Sequence, residues 1–90
     1  MEIVDILNKV LSKYKEFKNQ EVQSVLDLGS YYVVALTYKN LKPDEFVLDN
    51  EWKIDKKTFK MTSFRLDMDR QKYLKSLKNP LYVRGGNNND

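Results

Sequence analysis

Apolar side chains recur along the start of the chain at intervals of three and four residues: Ile3, Leu7, Val10, Tyr14 and Phe17, with Val4 and Leu11 beside them. This spacing puts them on one face of a helix. Glu2, Asp5, Asn8, Lys9, Ser12, Lys13 and Glu16 fall mostly on the other face, with acids early and lysines late, as the helix dipole favours. The pattern predicts an amphipathic helix over 2–18, ended by Asn19-Gln20. Beyond it the period changes. Val22–Leu28 reads as a strand, Gly29-Ser30 as a tight turn, and Tyr31–Tyr38 as a strand that is aromatic, β-branched and apolar on both faces. Two strands joined so closely form an antiparallel hairpin.

Residues 39–46 read as a loop with a Pro43-Asp44 turn. A second hairpin follows, from 50–55 through Lys56-Lys57-Thr58 to 59–64. Asp67 or Asp69 suits a helix N-cap, ahead of a helix to about Lys78 with Tyr73, Leu74 and Leu77 as its apolar stripe. Asn79-Pro80 stops it. Leu81-Tyr82-Val83 would dock or add a short edge strand, and 84–90, rich in Gly and Asn, reads as a disordered tail. The expected fold is therefore one α+β domain over 1–83. Its order is α-β-β-β-β-α, a four-stranded antiparallel sheet of two hairpins flanked by two helices.

Composition narrows the chemistry more than the fold. Ninety residues suit a single domain, and hydrophobic content of 41% with 32% charge suits a folded one. The chain has neither cysteine nor histidine. That removes disulfides, thiol nucleophiles, the commonest general base and the commonest transition-metal ligands. No Gly-rich phosphate loop is present, and no serine has a recognisable base beside it. Asp67-Met68-Asp69 resembles the start of a calcium loop but lacks the central Gly and late Glu, so helix capping is the simpler reading. The acidic stretch Asp44-Glu45 and Asp49-Asn50-Glu51 could hold a cation weakly, but a solvated loop is the simpler reading. These points lead us to expect no enzymatic activity, no cofactor and no metal. The first residues lack the basic start of a secretory signal, and no apolar run reaches membrane-spanning length, so the expectation is cytoplasmic, or host cytoplasm for a viral gene.

Two surfaces are candidates for binding. On Tyr31–Tyr38, Tyr31, Val33 and Ala35 share one face while Tyr32, Val34, Leu36 and Tyr38 share the other. If both helices cover one face, Tyr31, Val33 and Ala35 form an exposed patch for a protein partner or a homodimer. If the helices divide between the faces, both are buried. The second candidate is the lysine-rich hairpin, where Lys53, Lys56, Lys57, Lys60 and Arg65 surround Trp52 and Phe59. Cations interleaved with aromatics can bind single-stranded nucleic acid. Against this, Trp52 can belong to the core while the lysines guard a turn and an edge strand. Net charge is only +3, and thirteen of the sixteen basic residues are Lys rather than Arg, the residue better suited to phosphate and base recognition. A protein partner is therefore the leading expectation and nucleic acid the alternative.

Residues 52–62, WKIDKKTFKMT, resemble a hairpin of the form Val/Ile-Asp-Lys-Lys-Thr-Gly-Lys. It occurs in PepSY-type domains and in small proteins of phages and prophages of low-GC bacteria. The latter resemble the chain over about residues 1–80, with an N-terminal helix, an aromatic strand, the hairpin and a short helix. Phe59 stands where the pattern has Gly, which normally takes positive φ. That departure implies another turn conformation or local strain. The resemblance implies a phage-derived accessory or interaction protein, with no enzyme activity and no functional residues carried over.

Overall fold

The computed structural model describes residues 2–42, 50–65 and 69–84. Within them, α1 (Ile3–Leu11) and a 3₁₀ turn (Lys15–Phe17) precede β1 (Gln20–Asp27) and β2 (Tyr31–Tyr38). Then come β3 (Glu51–Asp55), β4 (Met61–Ser63), α2 (Arg70–Ser76) and β5 (Tyr82–Val83). The strands form one five-stranded sheet in the order β4-β3-β2-β1-β5, every described pair antiparallel. The expected four strands are thus extended by β5, which pairs Ser24 with Val83 and Val25 with Tyr82. The α+β class holds; the strand count is corrected.

α1 stops seven residues short of the expected end. Ser12 Oγ donates to the Lys9 carbonyl, which competes with the next helical turn. Tyr14 is then extended at φ −111° and ψ 123°. The 3₁₀ turn carries Phe17 back into the core, so apolar side chains still appear at helical intervals although the helix has ended. The Asn8 side chain ties α1 to the sheet by accepting the Val22 backbone N–H at 3.1 Å.

The β1–β2 turn has Gly29 at φ 102°, the positive φ that a type II′ hairpin places at its first central residue. Asp27 Oδ1 accepts the Gly29 N–H at 2.8 Å and meets Lys56 Nζ at 2.8 Å. These two donors, Lys56 foremost, hold the Asp27 carboxyl below its ordinary pKa. The β3–β4 loop is organised by Asp55, whose Oδ1 accepts the N–H groups of Lys57 and Thr58 at 2.7 and 2.9 Å. Those bonds, Thr58 first, lower its pKa. Phe59 adopts φ 57°, so a Phe occupies the left-handed position that the resembling hairpins give to Gly. Its half-buried ring packs on the core, which offsets a conformational cost of about 1–2 kcal/mol. Phe59→Gly and Phe59→Ala both lose that packing, but only Ala keeps the strain. Phe59→Gly is therefore expected to be about 1 kcal/mol more stable than Phe59→Ala in urea unfolding. Equal stabilities would show that the position carries no strain.

Each sheet face has its own apolar cluster. On one, α1 and Phe17 pack on Val22, Val25, Val34, Leu36 and Ile54, with Trp52 edge-on to Phe17 at 5.1 Å between ring centres. On the other, Leu26, Leu28, Tyr31 and Val33 are joined by Phe64 and Tyr73. The helices therefore divide between the faces. Tyr31 and Val33 are 4% and 1% exposed and Ala35 is half-buried, which corrects the expectation of an open patch at these three residues. Asp69 precedes α2 but makes no side-chain cap; its carboxylate instead accepts the Tyr31 hydroxyl. Of the expected α2 stripe only Tyr73 turns inward, while Leu74 and Leu77 are exposed. Arg84, expected to begin the tail, is held by the fold. Its N–H donates to the Gln23 carbonyl at 2.7 Å, and its guanidinium reaches the Leu41 and Lys42 carbonyls and Glu21. Asp67 and the rest of the expected tail, 85–90, lie outside the described residues, as does the acidic stretch 43–49.

Candidate binding surfaces

The second hairpin separates the lysines that the sequence groups together. Antiparallel pairing places Lys53 beside Val33 and Thr62, on the face that carries Tyr31. Its ammonium sits 4.4 Å from the centre of the Tyr31 ring, a cation–π contact. Lys56 instead meets Asp27 and lies 4.9 Å over the Tyr32 ring. Lys57 and Lys60 are exposed at the turn, and Lys60 shares a hollow of about 210 Å³ with Lys53, Asp55, Thr58 and Thr62. Arg65 is exposed beyond β4. The aromatics that would stack on bases are committed inward. Trp52 Nε1 donates to Asn50 at 2.9 Å and its ring meets Phe17, while Phe59 packs on the same cluster.

The face of Tyr31, Val33 and Ala35 is closed by an aromatic and carboxylate arrangement. Tyr73 stacks on Phe64 with ring centres 5.5 Å apart and planes at 24°. Its hydroxyl donates to Glu51 Oε2 at 2.7 Å, as Tyr31 donates to Asp69. Burial first, then the neighbouring carboxylate, pushes both phenols up to about 12 from an ordinary 10. Both hydroxyls are protonated at neutral pH, as an unshifted phenol also is, and so donate to the carboxylates. These groups hold α2 against the sheet.

Two surfaces that were not singled out from the sequence emerge in three dimensions. Five large apolar side chains are exposed among the described residues: Tyr38, Leu74, Leu77, Leu81 and Val83, each 45–49% accessible. Four of them lie in α2, β5 and the link between, alongside β1 at the sheet edge. Residues 70–84 also hold five of the sixteen basic residues and none of the thirteen acidic ones. The i, i+2 spacing of Leu81 and Val83 and the leucines of a short helix were the available signals, but reading Leu74 and Leu77 as the apolar stripe of the helix concealed them. The other surface is a cleft of about 470 Å³ at the end of α1, where Lys13, Lys15 and Lys18 meet Lys39.

Among the described residues no three of Asp, Glu, His or Cys come together as metal ligands would. No helix of the described residues is long and apolar enough to cross a membrane. No protein-family model matches the chain, and no curated protein or solved structure does either.

Proposed function

We propose that the protein is a non-enzymatic interaction module that captures an acidic protein segment bearing apolar side chains, using the surface of α2 and β5. The observation that carries this reading is the coincidence of four exposed apolar side chains with a stretch, 70–84, that is basic and has no acid of its own; Asp27 and Glu21, which lie beside it, are already paired with Lys56 and Arg84. Exposed apolar groups of this kind mark contact sites. Their charge selects the partner: Arg70, Lys72, Lys75 and Lys78 are exposed around Leu74 and Leu77. A second copy of the chain would bring like charges together there, which argues against self-association through this surface. Leucines rather than aromatic rings favour an apolar protein side chain over a nucleic-acid base. Among the described residues β5 is the outermost strand on that side, so its outer edge can add backbone hydrogen bonds. The lack of histidine and cysteine supports the non-enzymatic part. A phage or prophage origin belongs to the same reading and rests on the resemblance of 52–62 and of the wider chain; a cytoplasmic setting rests on the absence of a secretory start and of a membrane-length apolar run in the sequence.

The test is calorimetric titration with two synthetic amphipathic peptides, one of Leu and Glu and one of Leu and Lys, beside light scattering of the protein alone. The acidic peptide is expected to bind, and Leu74→Ser with Leu77→Ser to weaken it at least about tenfold, each leucine being worth on the order of 1 kcal/mol at an interface. Binding of neither peptide, equal binding of both, or a stable dimer in light scattering would overturn the proposal.

A further inference from the structure

We infer that the cleft at the end of α1 binds single-stranded nucleic acid, with phosphates on Lys13, Lys15, Lys18 and Lys39 and a base stacked on Tyr38. The cleft exists because the chain turns sharply after α1. Ser12 ends the helix, the 3₁₀ turn presents Lys15, and Lys39 is brought across when its N–H donates to the Asn19 carbonyl at 3.0 Å. Leu11, Tyr14 and Phe17 form the apolar part of the lining, and Tyr14 meets Phe17 edge-on at 5.9 Å. A neighbouring hollow of about 590 Å³, lined by Asn19, Tyr38, Lys39, Asn40 and Leu41, joins the cleft at Lys39.

Charge makes this place different from the other basic regions. None of the described residues lining either hollow is acidic. None of the four lysines has an ion pair among the described residues, whereas Lys56 is matched by Asp27 and Arg84 by Glu21. Glu16, on the same turn, is exposed and does not line the cleft. Four cations lining one concave surface, with no carboxylate among the described residues that line it, are suited to a ligand that brings several anions in a row. Tyr38, 45% exposed beside them, and the amides of Asn19 and Asn40 select among such ligands. An exposed ring stacks on unpaired bases, and amides bond their Watson–Crick edges, while a duplex hides both the ring faces and those edges.

Fluorescence anisotropy with a labelled oligothymidylate of about a dozen nucleotides, within the usual site sizes, tests this. Four phosphate contacts predict a slope of about −3 for log K against log salt, and Lys15→Gln with Lys18→Gln reduces its magnitude by about 1.4. Tyr38→Ala is expected to weaken binding roughly 5- to 150-fold, the worth of one stacked base, and Tyr38→Phe to restore it. Lys57→Gln with Lys60→Gln leaves binding unchanged. The proposal is overturned by no binding at low salt, or by loss of binding in the Lys57 and Lys60 variant. It is overturned equally if duplex of the same length binds as tightly, or if Tyr38→Ala has no effect while inorganic polyphosphate displaces the oligonucleotide at equal phosphate concentration.

Discussion

Leu36→Ala should lower the unfolding free energy by about 2–5 kcal/mol, the range for deleting a buried leucine side chain. Leu36 is 0% exposed in β2, the central strand of the sheet, with strands on both sides of it. Its side chain lies in the cluster shared by Leu7, Leu11, Val22 and Ile54. The backbone around it is fixed by pairing with Val22 and by its own N–H donating to the Asn50 carbonyl at 2.9 Å. A site so confined collapses little around a cavity, which places the cost toward the upper part of the range. A domain of this size has a total stability of roughly 5–13 kcal/mol, so the loss is a large fraction of it. Urea unfolding would show a lower midpoint with the slope unchanged. Leu36→Met, which keeps the volume, should cost less than about 1.5 kcal/mol. Similar losses in the two variants would mean that Leu36 is not packed as described.

Tyr73→Ala is expected to cost about 2–3 kcal/mol, below the range for a fully buried aromatic because the ring is half-buried. It removes the stack on Phe64 and the bond to Glu51 together, and it uncovers Tyr31 and Val33. Increased binding of a hydrophobic dye should accompany the loss. Tyr73→Phe keeps the ring and should cost only about 1–2 kcal/mol, the value of a bond to a charged group in a partly exposed setting. If the two variants are equally stable, the ring does not cover the face. The pH dependence follows from the same bonds. The folded pKa of Tyr73 lies above its unfolded value, so its contribution is complete below pH 10 and is lost as pH rises through about 12. Tyr31 behaves alike. Unfolding midpoints compared at neutral pH and near about pH 11 should therefore fall less in Tyr73→Phe than in the wild type.

The parts of the fold that local pattern controls were legible in the sequence. β2 runs over the expected Tyr31–Tyr38, and Gly29-Ser30 makes the expected tight turn. α1 was overextended because Tyr14 and Phe17 keep helical spacing through a bend and a 3₁₀ turn, and periodicity cannot distinguish the two. The two-sided apolar character of β2 was also legible, but not what covers it. Tyr31 meets Phe64 and Tyr73 only after the chain has traversed β3 and β4. The same limit hid the cleft: Lys13, Lys15 and Lys18 are near one another in sequence, but Lys39 joins them only through the pairing of β1 with β2. The hairpin lysines failed in the opposite sense. Their closeness in sequence conceals the alternation that sends Lys53 and Lys56 to different aromatic rings.

The strand order separates the sheet into parts of different kinetic character. β1 to β4 form a meander in which each strand pairs with its neighbour in the chain, over connections of three, twelve and five residues, so those pairings are closer in sequence than that of β5 with β1. β5 pairs with β1 across the whole of that meander, joining Ser24 to Val83 through only two residue pairs. Its long sequence separation and two residue pairs lead us to expect that it closes late in folding and opens first. α2, held through Tyr73 and the Tyr31–Asp69 bond, is expected to detach with it at a smaller free energy than global unfolding. The surface proposed to meet a partner thus belongs to the segment that opens most readily, and a bound partner would register there first as slowed amide hydrogen exchange.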